Sequence, residues 1–362
     1  MQRIDSKGII TQILPIAGAC DKCIYIMVLP VELPELSLEQ RRQLIDVQQR
    51  FDSWRAAERA FEESNKGSMT WKRVGGRQYL YRIVDRYTHK SLGPRTAATE
   101  QLKQDYMTSR TANRSRITKL RKALEKSAPI NRAMGLARVP RAAAKILRAL
   151  DQARLLGDGL FVVGTHALYA YEARSGLVFQ PELLATTDID FLADVRSRLV
   201  LAIEDKKRTG ILAALLKADP SFTVQGDLFR AVNDEGYFVD IIRPMAKNEM
   251  MTAEYDLGGI VPAGIDGLQW LVSSPRFEAS AIAEDGMPVW MSCIDPRAFA
   301  LHKRWVSLQT SREPLKRRRD AAQAIAVAKA ASLLGLQFDA KELSALPAKI
   351  FEGADALLAG KI

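Results

Sequence analysis

The stretch "TTDIDFLAD", residues 186–194, places two carboxylates on either side of one isoleucine and follows them with apolar residues. Strand residues i and i+2 share a face, about 6.6 Å apart along the chain. As a strand, the segment therefore projects Asp188 and Asp190 together while Ile189 and Phe191 point into a core. Two carboxylates this close repel and raise each other's pKa unless a cation neutralises them. Hard divalent cations such as Mg²⁺ take such oxygen ligands, with substrate phosphates completing the shell. A calcium EF-hand loop beginning at Asp188 is excluded, because its sixth residue is Ala193 and its twelfth Leu199. A surface D-x-D pair without a role is the alternative.

The pattern around this strand constrains the fold. "GLFVVG" reads as a buried strand ending at Gly164 and "THALYAYEAR" as a helix. "DIDFLAD" is a strand, "TGILAALLKA" a helix, "LFRAVN", "GYFVDIIRP" and "MPVWMSCI" are strands, and "DPRAFALHKRWVSL" is a helix. Such alternation predicts an α/β or α+β arrangement with a mixed sheet, and α+β with the sheet flanked by helices is the expectation taken forward. Upstream, "SLEQRRQLIDVQQRFDSWRAAERAFEES" reads as a helix whose capping box is Ser37 and Gln40. "MTWKRVGGRQYLYRIVD" reads as a hairpin about Gly75-Gly76, broken by "KSLGPR". A long basic helix follows over 100–126, "AMGLARVP" is a linker, and another helix starts near Pro140. Residues 8–29 read as two short strands, and an Ala-rich helix runs from Leu315 to about Leu334, stopped by Gly335. The expected division is an N-terminal accessory region (1–132), a core (133–310) and a C-terminal helical region (311–362).

Charge is concentrated. Residues 102–148 hold thirteen Lys or Arg against Asp105 and Glu125, a net +11 that equals the formal charge of the whole chain. Positive charge gathered in one segment is the footprint of a polyanion binder, RNA among them, or else a solvated helix face. The three cysteines, Cys20, Cys23 and Cys293, do not make a disulfide framework. "CDKC" has the spacing of half a zinc site or of a redox pair, but no second cysteine pair follows, and incidental packing is the expectation for it. No run of 18 apolar residues and no signal pattern occurs, so a cytoplasmic protein is expected.

Two further features join the paired aspartates. Strand–Gly164-Thr165–helix offers close backbone approach, and the helix start and Thr165 hydroxyl can donate to phosphate oxygens. In "GYFVDIIRP", Asp240 sits among Tyr237, Phe238, Val239, Ile241 and Ile242. A carboxylate in so apolar a strand is costly unless paired. A cation shared with Asp188 and Asp190 satisfies it, as does an arginine such as Arg243.

Together these residues resemble the nucleotidyltransferase superfamily that shares its fold with DNA polymerase beta: strand–Gly–Ser/Thr–helix, Asp-x-Asp on the next strand, and a third acid on a later one. Here these are Gly164-Thr165, Asp188-x-Asp190 and Asp240. "DPRAFALHKRWVSLQTSREPLKRRRDAAQA" looks like the C-terminal part of stand-alone bacterial members, including toxin-like members of the abortive-infection type, with Lys303 and Asp320 at the matching positions. The hairpin with "SLGPRT", and "DGLQWLVSSP", resemble a narrower bacterial family of this fold. The resemblance runs from about Tyr79 to Ala324. His166 after the glycine-threonine pair and the long gap from Gly164 to Asp188 depart from the superfamily pattern; His166 either packs locally or contacts the nucleotide.

The resemblance implies an NTP-binding enzyme in which Asp188, Asp190 and Asp240 hold Mg²⁺ or Mn²⁺ and Asp240 serves as general base. It implies that Gly164 and Thr165 cradle the phosphates, Lys303 offers a charge to the triphosphate, and Asp320 orders Lys303 or a nearby arginine. Three readings follow: transfer of a nucleotide to RNA, tRNA included, presented by the basic segment; the same chemistry on a protein or small molecule; or a catalytically silent nucleic-acid-binding protein. The intact acid triad argues against the third. The basic segment favours the first over the second, although basic helices also serve in oligomer contacts.

Overall fold

Burial in β4 (Leu160–Val163) is complete, with all four residues buried, so both faces of this strand have to be covered. In the computed structural model, which describes residues 33–85, 88–196, 210–245 and 256–360, β4 lies inside an eight-stranded mixed sheet. The expected strands over 8–29, with Cys20 and Cys23, lie outside the described residues.

The strand order is β10 (Arg276–Ile282), β11 (Pro288–Ile294), β4, β5 (Asp188–Ala193), β8 (Phe238–Pro244), β7 (Arg230–Val232), β6 (Thr223–Val224). β9 (Ala263–Ile265) pairs with the last residues of β8, on Ile242, Arg243 and Pro244. β4 runs antiparallel to β5, and β5 runs parallel to β8. The sequence reading lacked β6, β9 and β10. "RFEASAI" is rich in alanine and serine, which have little intrinsic strand preference, and it forms a strand because β11 pairs with it along its whole length.

Helices α1 (Leu38–Ser64), α3 (Arg141–Gln152) and α4 (Ala167–Ser175) pack toward the β10–β11 end of the sheet. The Ser37/Gln40 capping box of α1 is present, with Gln40 N donating to Ser37 Oγ at 3.2 Å and Ser37 N donating to Gln40 Oε1 at 2.8 Å. Near the chain's end, α8 (Pro296–Ser307) and α9 (Pro314–Leu333) lie against each other, and α9 also touches α4 and α5 (Pro181–Leu184). Gly335 takes φ +73° where α9 stops. Among the described residues no helix is long and apolar enough to cross a membrane.

The N-terminal half holds a separate sheet, β1 (Ser68–Val74), β2 (Arg77–Ile83) and β3 (His89–Pro94), with β2 central. "KSLGPR", read as a break, supplies most of β3. Its own small core of Met69, Leu80 and Tyr106, with Trp71 and Leu92 against it, is distinct from the main core. Tyr106 comes from α2 (Ala97–Ala133), and its hydroxyl donates to the Asn65 carbonyl at 2.9 Å.

α2 continues well beyond the expected end near 126, through Pro129. Proline removes one helical hydrogen bond. The last turns hold nonetheless, because Ser127, Ala128 and Asn131 are buried and the Asn131 amide donates to the Gly286 carbonyl at 2.8 Å. The segment read as a linker is fastened to the sheet: Arg138 N and Val139 N both donate to the Ile282 carbonyl. The basic segment is accordingly divided. Arg138 pairs with Glu172, and Arg148 clasps Asp285 through two hydrogen bonds of 2.6 and 3.0 Å. The exposed cations concentrate on α2, at Arg114, Arg116, Lys119, Arg121, Lys122 and Lys126.

Candidate active site

Register brings the carboxylates together. In the parallel β5–β8 pair, Asp190 stands opposite Asp240 and Asp188 opposite Phe238. Ile189 and Phe191 are fully buried on the other face of β5, as period two requires. One oxygen from each of Asp188, Asp190 and Asp240 lies within 4.8 Å of the others.

Such a cluster is electrostatically unfavourable by itself. The Asp190 carboxyl is pushed up to about 7, first by burial and then by Asp188 and Asp240, against the opposing pull of Lys303 and Arg230. A hard divalent cation would relieve this repulsion, and a set of carboxylate oxygens suits it. The donor set therefore fits the metal that the sequence implies.

Asp240 has a second partner. Arg230, directly across on β7, grips it with Nε on Oδ1 at 2.7 Å and Nη2 on Oδ2 at 2.6 Å. Arg243, the arginine considered from sequence, donates to the Pro244 carbonyl instead. Arg230 was the residue missed. Its signal was the β7–"NDEG"–β8 reversal, which sets an arginine beside the acid only once the hairpin register is known.

Gly164 follows β4, where Val163 stands opposite Asp190. Its φ is +63°, and a Cβ there would come 2.2 Å from Asp190 Oδ2. Only glycine leaves room for the carboxylate and accepts this backbone without strain. The Thr165 side chain takes a different direction. Thr165 is buried, and its hydroxyl accepts from Gln323 Nε2 of α9 at 3.3 Å.

Behind Asp188 the support is polar. The Thr186 hydroxyl donates to Asp188 Oδ1. His166 is buried, hydrogen bonded to the Asp188 backbone, and has its Nε2 3.0 Å from the Tyr237 hydroxyl. Burial drives the His166 pKa down to about 4, against the pull of Asp188, so the ring is neutral near pH 7. It packs within the wall of the site.

Lys303 and Asp320 meet as a pair. Lys303 Nζ donates to Asp320 Oδ1 at 2.6 Å, and Arg312 Nε to Oδ2 at 2.9 Å. Burial acts to raise the Asp320 pKa, but the two cations outweigh it and hold the carboxyl below its ordinary value. Lys303 also lines a cleft of about 440 Å³ whose wall includes Gly164 and Asp190. The remainder of that wall is largely apolar, with Ile265, Leu268 and Trp305. Trp305 is steadied by Trp270 and His302, whose ring centroids lie 5.1 and 5.7 Å away. One end of the cleft suits a charged group and the other a flat apolar one. A second cleft, of about 420 Å³ beside Arg55 and Trp290, contains none of the three carboxylates.

A family model described as nucleotidyltransferase matches residues 141–346, more than half of the chain. That span includes all three aspartates, Gly164, Lys303 and Asp320. No curated protein and no solved structure gives a match.

Proposed function

We propose that this chain, which belongs to the nucleotidyltransferase family and is an enzyme of that type, moves a nucleotide from an NTP to a hydroxyl of an RNA acceptor, with pyrophosphate as the second product. The observation that carries this reading is the approach of the Asp188, Asp190 and Asp240 oxygens to within 4.8 Å of one another.

Asp188, Asp190 and Asp240 would hold Mg²⁺ or Mn²⁺. When bound, such ions supply charge neutralisation of the triphosphate and a more acidic acceptor hydroxyl. The chain's own residues do the rest. The Gly164 turn lets a phosphate approach the backbone. Lys303 contributes a positive charge at the cleft, with Asp320 holding its ammonium in place. The apolar wall at Trp305 receives the base. The acceptor oxygen bonds to the α-phosphorus as the bond to the β-phosphate oxygen breaks, and pyrophosphate leaves with that electron pair. Asp240 takes the acceptor's proton. Each carboxylate oxygen has two lone pairs, so the grip of Arg230 leaves Asp240 capacity to do this while fixing its orientation.

The RNA acceptor is supported by the exposed cations of α2, where Arg114, Lys119 and Lys122 lie along one open stretch of its surface. A protein or small-molecule acceptor is the second reading, favoured by the commitment of Arg138 and Arg148 to ion pairs. Pyrophosphate release, followed with each of the four NTPs in Mg²⁺ with and without RNA, separates them. RNA-stimulated release from one NTP supports the first reading. Release that RNA leaves unchanged moves the assignment to the second.

A further inference from the structure

The β1–β2–β3 sheet has two unlike faces. Met69, Trp71 and Leu80 form the inner one against Tyr106 of α2. The residues alternating with them form the outer one. Register sets Lys72 beside Tyr79 and Thr70 beside Tyr81, with Pro94 and Ser91 of β3 on their other side. Tyr79 and Tyr81 thus stand side by side on the central strand and share a face. Their spacing is about 6.6 Å, roughly twice the rise of one nucleotide in a stacked strand. Neither belongs to a buried cluster among the described residues. On this outer face the cations are Lys72 and Arg77, whereas Arg82, opposite Met69, lies over the inner Tyr106 ring; the three strands carry no aspartate or glutamate. Lys72 Nζ lies 5.1 Å from the centre of the Tyr81 ring and 3.2 Å from His89 Nδ1.

We propose that this outer face is a stacking platform for single-stranded nucleic acid, with Tyr79 and Tyr81 as base contacts and Lys72 and Arg77 as phosphate contacts. The chemistry selects the ligand. A groove or face that combines cations with aromatic rings binds unpaired strands, because every base has a π-face and every linkage a negative charge. A duplex hides its base faces and engages only the cations. A protein partner would require an apolar interface centre depleted of charge, whereas this face offers aromatic rings interleaved with cations. The platform is tied to the catalytic sheet by α2. About 37 Å of that helix separate Tyr106, under the platform, from Asn131 at the core. The platform therefore holds an acceptor at a distance from the chemistry. The inference deepens the acceptor side of the proposed function. Its test reads binding without NTP, so its failure leaves the transfer reaction untouched.

Fluorescence anisotropy of the full chain with a labelled, unstructured RNA of about 20 nucleotides, enough to cover such a site, tests it. Tyr79→Ala/Tyr81→Ala should weaken binding at least about tenfold, since each base–ring contact is worth about fivefold or more. Tyr79→Phe/Tyr81→Phe keeps the rings and should bind within about twofold of the parent. The alanine pair should leave the salt slope and the affinity for a duplex of the same sequence unchanged, with the parent's melting temperature and NTP affinity retained. If the alanine pair does not fold, Lys72→Glu/Arg77→Glu provides the second reading: weaker binding and a salt slope shallower by about 1.4, about 0.7 for each phosphate contact on a single strand. A DNA strand of the same sequence assigns the sugar, tighter RNA binding placing RNA on the platform and equal binding either strand. Parent-like binding by the alanine pair, an equal loss in the phenylalanine pair, or conversion of a parent dimer to a monomer by the alanine pair each overturns the platform.

Discussion

Gly164 and Asp190 are mutually dependent: the Asp190 carboxylate occupies the space where a Cβ on residue 164 would stand, 2.2 Å from Oδ2. Gly164→Ala should therefore displace Asp190 and strain a backbone held at φ +63°, at a combined cost of about 1–3 kcal/mol. Asp190→Ala removes the carboxylate that the new methyl meets, so the two substitutions should be less than additive. Denaturant titration of the four proteins of this cycle measures the coupling. Strict additivity would mean that the contact does not exist.

The Asp190 carboxyl gives a pH dependence with a definite sign. Its proton is held up to about 7 in the folded chain and only to about 4 in the unfolded one. Between those values the folded state binds more protons, so metal-free stability should fall as pH rises from about 4 to about 7 and then level off. In Asp190→Asn that contribution should vanish, and added Mg²⁺ at pH 8 should stabilise the parent but not the variant. Melting temperatures across this range, with and without Mg²⁺, provide the check. Identical profiles for parent and variant would show that Asp190 is not the residue under repulsion.

Arg230 is assigned as a positioning residue. Arg230→Gln should reduce kcat by about tenfold or more, the effect of losing a charge-assisted contact of about 1.5–3 kcal/mol, and change the KM for NTP little. Arg230→Lys keeps the charge but loses the two-pronged grip, so it should recover only part of kcat. A loss confined to KM would instead place Arg230 on the substrate.

The placement of these side chains shows which parts of the geometry sequence reasoning reaches and where it stops. Asp188, Asp190 and Asp240 were legible because period two, an apolar surround and a lone acid each act within one strand. The same holds for the Ser37/Gln40 cap and the glycine at 164. Arg230 was not legible, because its partner is fixed by cross-strand register rather than by spacing along the chain. Arg243 is nearer to Asp240 in sequence, yet it points to a carbonyl. The Thr165 hydroxyl, whose surroundings depend on α9 folding back from beyond residue 313, was equally out of reach. Net charge misled in one respect. A count cannot tell Arg148, committed to Asp285, from Arg114, exposed on α2.

The exposed cations of α2 should govern the salt dependence of RNA affinity. Charge reversal at Arg114, Arg116, Lys119 and Arg121 should weaken RNA binding and flatten its salt slope, since each phosphate neutralised releases counterions. NTP binding should survive, because Lys303 and Asp190 lie in another part of the chain. Unchanged RNA affinity together with loss of oligomerisation would make α2 a self-association surface.

Nucleotidyl transfer itself is tested most directly by the fate of the phosphorus. The enzyme is incubated in Mg²⁺ with RNA and an NTP labelled at the α-phosphate, and in parallel with the same NTP labelled at the γ-phosphate. The α-label should become covalently attached to RNA in one-to-one proportion with pyrophosphate, the γ-label should appear only in pyrophosphate, and Asp188→Asn should abolish both while keeping the parent's circular-dichroism spectrum. Attachment of the γ-label, or release of inorganic phosphate without any attached α-label, would contradict nucleotidyl transfer to RNA at Asp188, Asp190 and Asp240.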